Sequence, residues 1–134
     1  MPTVLIVDDS ESVRVAVREL FEAEPEFKVI GEAVNGMDAI AKAEELAPDL
    51  IVLDLSMPIM NGLEAAETLK TNSPATPIYI LTAHGGPEVD RAARAAGVDA
   101  VFSKSDDMDR MLVSARTAFA AKKPKKRSKD TDEK

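Results

Sequence analysis

Four short apolar runs along the chain each end in a polar or charged side chain. Val4-Leu5-Ile6-Val7 runs into Asp8-Asp9, and Leu50-Ile51-Val52-Leu53 runs into Asp54. Ile78-Tyr79-Ile80-Leu81 runs into Thr82, and Ala100-Val101-Phe102-Ser103 runs into Lys104. A continuous run of this length predicts a strand buried on both faces, as in a parallel sheet covered by helices. Phe27 to Ala33 reads as a further strand. Between the runs the apolar spacing turns helical. Ser10 caps a helix through about Ala23, with Val13, Ala16, Val17, Leu20 and Phe21 as its inward stripe and Pro25 beyond its end. Asn35-Gly36 opens a second helix, with Ala39, Ile40, Ala43 and Leu46 inward and Pro48 closing it.

A third helix is expected from Gly62 to about Leu69, after a loop over Met57 to Asn61. The turn cluster Ser73-Pro74-Ala75-Thr76-Pro77 then leads to the next strand. Gly85-Gly86-Pro87 starts a fourth helix through about Ala96, stopped by Gly97. Val89 is its main large apolar residue, which predicts a thinly anchored, mobile element. Met108, Met111, Leu112, Ala115, Ala118 and Phe119 form the core stripe of a fifth helix. Five strands alternating with five helices through short right-handed crossovers predict a doubly wound α/β fold with a parallel sheet. The expected division is a domain over 1–121 and a basic, disordered tail over 122–134, which has no apolar residue to bury.

Composition narrows the chemistry. With 134 residues, no cysteine and one histidine, His84, a disulfide framework, a thiolate centre and a His-rich metal site are excluded. A Ser-His-Asp triad is disfavoured. No apolar run approaches the roughly 20 residues of a membrane span, and the first residues lack a signal-peptide pattern, so a cytoplasmic protein without membrane contact is expected. The formal net charge is −7, from 17 Lys/Arg and 24 Asp/Glu. Seven of the basic and three of the acidic residues lie in the tail, leaving 10 and 21 in the body, a net of −11. Such a body is a poor nucleic-acid surface, and any nucleic-acid affinity falls to the tail.

In open parallel sheets chemistry gathers outside the carboxyl ends of the strands. Asp8, Asp9 and Asp54 there repel one another unless protons or a hard cation intervene. Mg²⁺ takes oxygen ligands and is held by one or two carboxylates together with a phosphate oxygen. Lys104 supplies a fixed positive charge and Thr82 a hydroxyl donor for an anion. A phosphoryl group completes such a site, and a carboxylate can accept it as an aspartyl phosphate.

VLIVDD (Val4 to Asp9), VLDLSMPIMNG (Val52 to Gly62), Leu81-Thr82-Ala83 and Lys104 resemble the receiver domain of bacterial two-component response regulators, over about residues 3–120. The resemblance implies a flavodoxin-like sheet of order 2-1-3-4-5 with helices on both faces. It implies Asp54 as phosphoacceptor, and Asp9, Asp54 and the main-chain carbonyl of Ser56 as Mg²⁺ ligands, with Asp8 acting partly through water. Thr82 and Lys104 become the switch and signalling residues. The implied donor is a phosphohistidine on a sensor histidine kinase or phosphotransfer protein, or a small acyl phosphate. The implied output is protein–protein contact in a stand-alone regulator with no DNA-binding domain, as monomer or phosphorylation-dependent dimer. On this reading the chain is a phosphoacceptor rather than an enzyme.

Three features depart from the family pattern. Ser105 follows the lysine where most receivers carry a proline in a cis bond, and a cis bond without proline costs roughly 2.5–4 kcal/mol. Lys104 is therefore expected to be held differently or by a strained peptide. Val101 stands at the usual switch-aromatic position, and its neighbour Phe102 is expected on the other face of the sheet. Ser56 and His84, two past Asp54 and Thr82, are expected beside the path of the hydrolytic water. The Lys-Ser-Asp-Asp stretch is similar to receivers fused to helix-turn-helix domains. A phosphatase of the haloacid-dehalogenase type needs a second Asp at position 56. A flavodoxin-like phosphate loop is disfavoured by Asp8-Asp9, and a degenerate receiver is the remaining alternative.

Overall fold

A computed structural model describes residues 1–57 and 59–128, with 121–128 described as backbone. Its strands are β1 (Thr3–Val7), β2 (Lys28–Ala33), β3 (Leu50–Asp54), β4 (Ile78–Thr82) and β5 (Ala100–Ser103). They alternate with α1 (Glu11–Glu22), α2 (Gly36–Leu46), α3 (Gly62–Asn72), α4 (Pro87–Ala95) and α5 (Met108–Ser128). All strand pairs are parallel and the order is β2-β1-β3-β4-β5. This is the doubly wound, flavodoxin-like order expected from the resemblance.

Successive strand residues point to opposite faces, and both faces are filled. Val4, Ile6, Leu50, Val52, Tyr79, Leu81 and Phe102 pack with Val17 and Phe21 of α1 and Met111, Leu112 and Ala115 of α5. Leu5, Val7, Ile51, Leu53, Ile78 and Ile80 pack with Ala39 of α2 and with Ala65, Ala66 and Leu69 of α3. Every residue of β3 and β4 is buried, as the unbroken apolar runs predicted.

The helix ends follow their local chemistry. Ser10 accepts from the Val13 N–H, Asn35 accepts from the Asp38 N–H, and α2 stops at Ala47 in the left-handed region. The expected stripe of α1 needs one correction, because Ala16 is exposed. The helix reaches the sheet through the larger Val17 and Phe21, and Phe27 stacks edge-on against Phe21 at 5.2 Å. Phe27 itself lies before β2, its N–H held by the Glu24 carbonyl. Helix α3 runs three residues past Leu69, to Asn72, because the breakers begin only at Ser73. Helix α4 is thinly anchored as expected, with Ala93 its one buried residue.

The expected tail begins within the last helix. The α5 backbone stays helical to Ser128, whereas 129–134 and Pro58 lie outside the described residues. Among the described residues no helix is long and apolar enough to cross a membrane.

Candidate functional site

The parallel strands deliver their polar ends to one edge of the sheet. Asp54 is the last residue of β3, and Asp8 and Asp9 follow β1 on one side of it. On its other side Asp54 pairs in register with Leu81, so Thr82 lies one step further along β4. Thr82 pairs in turn with Ser103 of β5, and Lys104 follows. The Lys104 N–H continues that ladder to the Thr82 carbonyl at 2.9 Å.

Carboxylate oxygens of Asp8, Asp9 and Asp54 all lie within 4.8 Å of one another. Asp8 and Asp54 are buried, and Asp9 is exposed at the rim. The Lys104 ammonium sits between the two buried groups, 2.8 Å from Asp8 Oδ2 and 3.1 Å from Asp54 Oδ1. Asp8 Oδ1 accepts from the Ser10 N–H at 2.8 Å, so the residue that caps α1 also orients the carboxylate. The Thr82 side chain is buried, and its Oγ1 accepts from the main-chain N–H of His84 at 3.1 Å. Ser56 lines an open cavity of about 530 Å³ together with Asp9, Met57 and Asn61. The structure thus brings Asp8, Asp9, Asp54 and Lys104 together, with Thr82 on the adjacent strand end and Ser56 at the mouth.

Burial pushes the Asp54 carboxyl above the ordinary carboxylate range, and the neighbouring charge of Asp8 adds to it. The hydrogen bond and charge of Lys104 work the other way, and Asp9 adds a further rise. For Lys104 burial disfavours the ammonium. Its hydrogen bonds and ion pairs with Asp8 and Asp54 outweigh that, so its pKa lies above the usual value. One ammonium against three carboxylates leaves uncompensated negative charge on an all-oxygen donor set. That is the chemistry of a site for a hard divalent cation such as Mg²⁺, with Asp8, Asp9 and Asp54 as the residues able to hold it.

Local packing explains the residues around Asp54. Asn61 caps α3 by accepting from the Glu64 N–H, while Glu64 returns a bond to the Asn61 N–H. Gly62 packs directly on the chain that carries Asp54. A Cβ there would lie 2.2 Å from the Asp54 carbonyl oxygen and 2.9 Å from Leu55 Cα. The glycine answers to this close approach as well as to its place at the helix start.

Other supporting groups were not singled out in the sequence. Arg14 of α1 donates to the Asp8 carbonyl at 2.7 Å and to Glu32 of β2 at 2.9 Å, bracing the β1 end from behind. Burial raises the Glu32 carboxyl, but hydrogen bonds and charge from Arg18 and Arg14 hold it below the ordinary carboxylate range. In sequence Arg14 is one more polar residue on a helix, and only the strand register reveals its partner. Among the described residues there is no cis peptide bond, so Lys104 is held differently and through a trans bond to Ser105. Phe102 faces Tyr79 at 5.3 Å in the α1/α5 core. Val101 packs on the opposite face, as expected.

A family model described as the response regulator receiver domain matches residues 4–116. The chain is 36% identical over 120 residues to a putative transcriptional regulator of Pseudomonas aeruginosa, covering 90% of this chain and 58% of that protein. It is 39% identical over 97 residues to a protein-glutamate methylesterase/protein-glutamine glutaminase of Methanosarcina acetivorans, covering 71% and 28%. The chain therefore spans between 28% and 58% of the length of these relatives. Among solved structures, the response regulator domain of Thermotoga maritima CheB superposes with a TM-score of 0.81 at 27% identity, covering 88% of this chain and 96% of that one. A LuxR-family two-component response regulator from Aurantimonas sp. SI85-9A1 gives 0.85 at 30% identity, covering 90% and 86%.

Proposed function

The chain belongs to the response regulator receiver domain family, and from that premise we propose that it accepts a phosphoryl group on Asp54. The donor is a phosphohistidine of a sensor kinase or phosphotransfer protein, or a small acyl phosphate. The observation that carries this reading is the Lys104 ammonium seated between the buried carboxylates of Asp8 and Asp54, with Asp9 at the rim. An Asp54 oxygen attacks phosphorus and forms the acyl phosphate P–O bond. The P–N bond of a phosphohistidine, or the P–O bond of an acyl phosphate, breaks, and the leaving group keeps the electron pair.

Lys104 exchanges its contact with Asp54 Oδ1 for an oxygen of the incoming group. Thr82 offers its hydroxyl to another, and Asp8 remains the anchor of the ammonium. Asp9, Asp54 and the Ser56 carbonyl, with Asp8 partly through water, would hold Mg²⁺, which would offset the charge on the phosphoryl oxygens. Water attacking phosphorus later restores the carboxylate and releases inorganic phosphate. Ser56, which lines the mouth, and His84, bonded through its N–H to Thr82, tune its access. The output is a change in protein–protein contact. Thr82 is joined to the start of the β4–α4 connection through His84, and α4 buries little, so a shift at Thr82 moves α4 at small cost.

Intact mass after incubation with acetyl phosphate tests this reading. One addition of about 80 Da, dependent on Mg²⁺ and absent in Asp54→Ala, is the expected result. Addition to Asp54→Ala, or none to the wild type from acetyl phosphate and from phosphohistidine donors, refutes it.

A further inference from the structure

The segment from Ser103 to Asp107 is closed by its own hydrogen bonds. The Asp107 N–H donates to the Ser103 carbonyl at 3.0 Å, and the Ser103 N–H donates back to Asp107 Oδ2 at 3.1 Å. These two reciprocal bonds close a short loop whose second residue is Lys104. Inside it the Ser105 N–H donates to Ser103 Oγ at 3.2 Å, and the two serine hydroxyls lie 3.0 Å apart. Arg110 holds the other Asp107 oxygen at 3.0 Å. The Asp107 carbonyl accepts the Met111 N–H, so the same residue anchors the start of α5.

A lysine reaches its target through a flexible four-carbon stem, and a small rotation of its backbone moves the ammonium far. Two constraints remove that freedom here. The Lys104 N–H is tied to β4 through Thr82, and the loop on its other side is closed onto Asp107. We infer that Asp107 is the positioning residue for Lys104. It clamps the Ser103 main chain and thereby sets where the ammonium sits between Asp8 and Asp54. This inference rests on the phosphoryl-binding role of Lys104 proposed above, and its test separates the two.

The experiment compares phosphorylation rates from acetyl phosphate for Asp107→Ala, Asp107→Ser, Asp107→Asn, Lys104→Ala and the Asp107→Ala/Lys104→Ala pair. Circular dichroism and thermal melts report folding. Serine keeps a helix-capping hydroxyl but is too short for the clamp, whereas asparagine keeps an acceptor at the right reach. Asp107→Ala and Asp107→Ser are expected to slow transfer roughly ten-fold, as for a misplaced reacting group. Asp107→Asn restores most of the rate, and the pair is no slower than Lys104→Ala alone. Calorimetry gives a second sign. Releasing the ammonium from the carboxylates leaves Mg²⁺ binding as tight as in the wild type or tighter, whereas general loosening of the site weakens it.

Transfer at the wild-type rate in Lys104→Ala refutes the proposed role of the lysine, and this inference with it. A slow Lys104→Ala beside a fast Asp107→Ser overturns the inference alone. So does a further loss in the pair, or no recovery in Asp107→Asn.

Discussion

Gly62 offers the sharpest test of how packing sets the position of Asp54. As the first residue of α3 it invites replacement by alanine, which gains up to about 1 kcal/mol in a helix. The structure reverses that sign. The added Cβ lies 2.2 Å from the Asp54 carbonyl oxygen, against an ordinary carbon–oxygen contact of about 3.3 Å. The obstacle is backbone, so about 1 Å must come from moving β3 or the helix start. The Gly62 N–H also holds the Leu55 carbonyl at 2.8 Å, so the helix start cannot withdraw without straining that bond. Overpacking of this kind costs roughly 1–3 kcal/mol. For 134 residues that corresponds to a melting temperature lower by roughly 4–12 °C. Displacing the acceptor by about 1 Å should also slow phosphorylation by up to about 100-fold. The control is Gly85→Ala, whose Cβ meets nothing nearer than Thr82 Cγ2 at 4.0 Å. That variant is expected within about 0.5 kcal/mol of wild type. Thermal melts and acetyl phosphate kinetics on both variants decide the matter. A Gly62→Ala protein that melts at or above wild type and is phosphorylated at the same rate would refute the reasoning.

Asp54→Asn is expected to raise the melting temperature at neutral pH. Burial and the charge of Asp8 lift the folded pKa of Asp54 above its unfolded value, so the native state binds the proton more tightly. The stability from that proton is complete below the unfolded carboxylate pKa of about 4 and is lost as pH rises through the folded value. The ionised group therefore opposes folding at neutral pH, and the advantage of the variant shrinks as pH falls toward 4; an advantage that grows on acidification contradicts this. Asn61→Ala removes the capping bond to Glu64 and should cost about 1 kcal/mol in a denaturant melt, with no effect counting against the capping box.

Much of the fold and the membership of the site was legible in the chain, and for a local reason. A strand buried on both faces needs an unbroken apolar run, and the first polar residue after it marks the rim. Four such runs place Asp8, Asp9, Asp54, Thr82 and Lys104 at one sheet edge, and the caps Ser10 and Asn35 mark helix starts. What the tertiary structure alone decided depends on register between residues far apart in sequence. It seats the Lys104 ammonium on Asp8 and Asp54, braces Asp8 with Arg14, and turns Ala16 outward although its spacing matches the core stripe. It closes the loop after β5 through Asp107 and a trans peptide, and presses Gly62 against the Asp54 backbone. Periodicity reports which face of an element is buried. The partner met on that face is set by how the strands align, and that alignment exists only in the folded sheet.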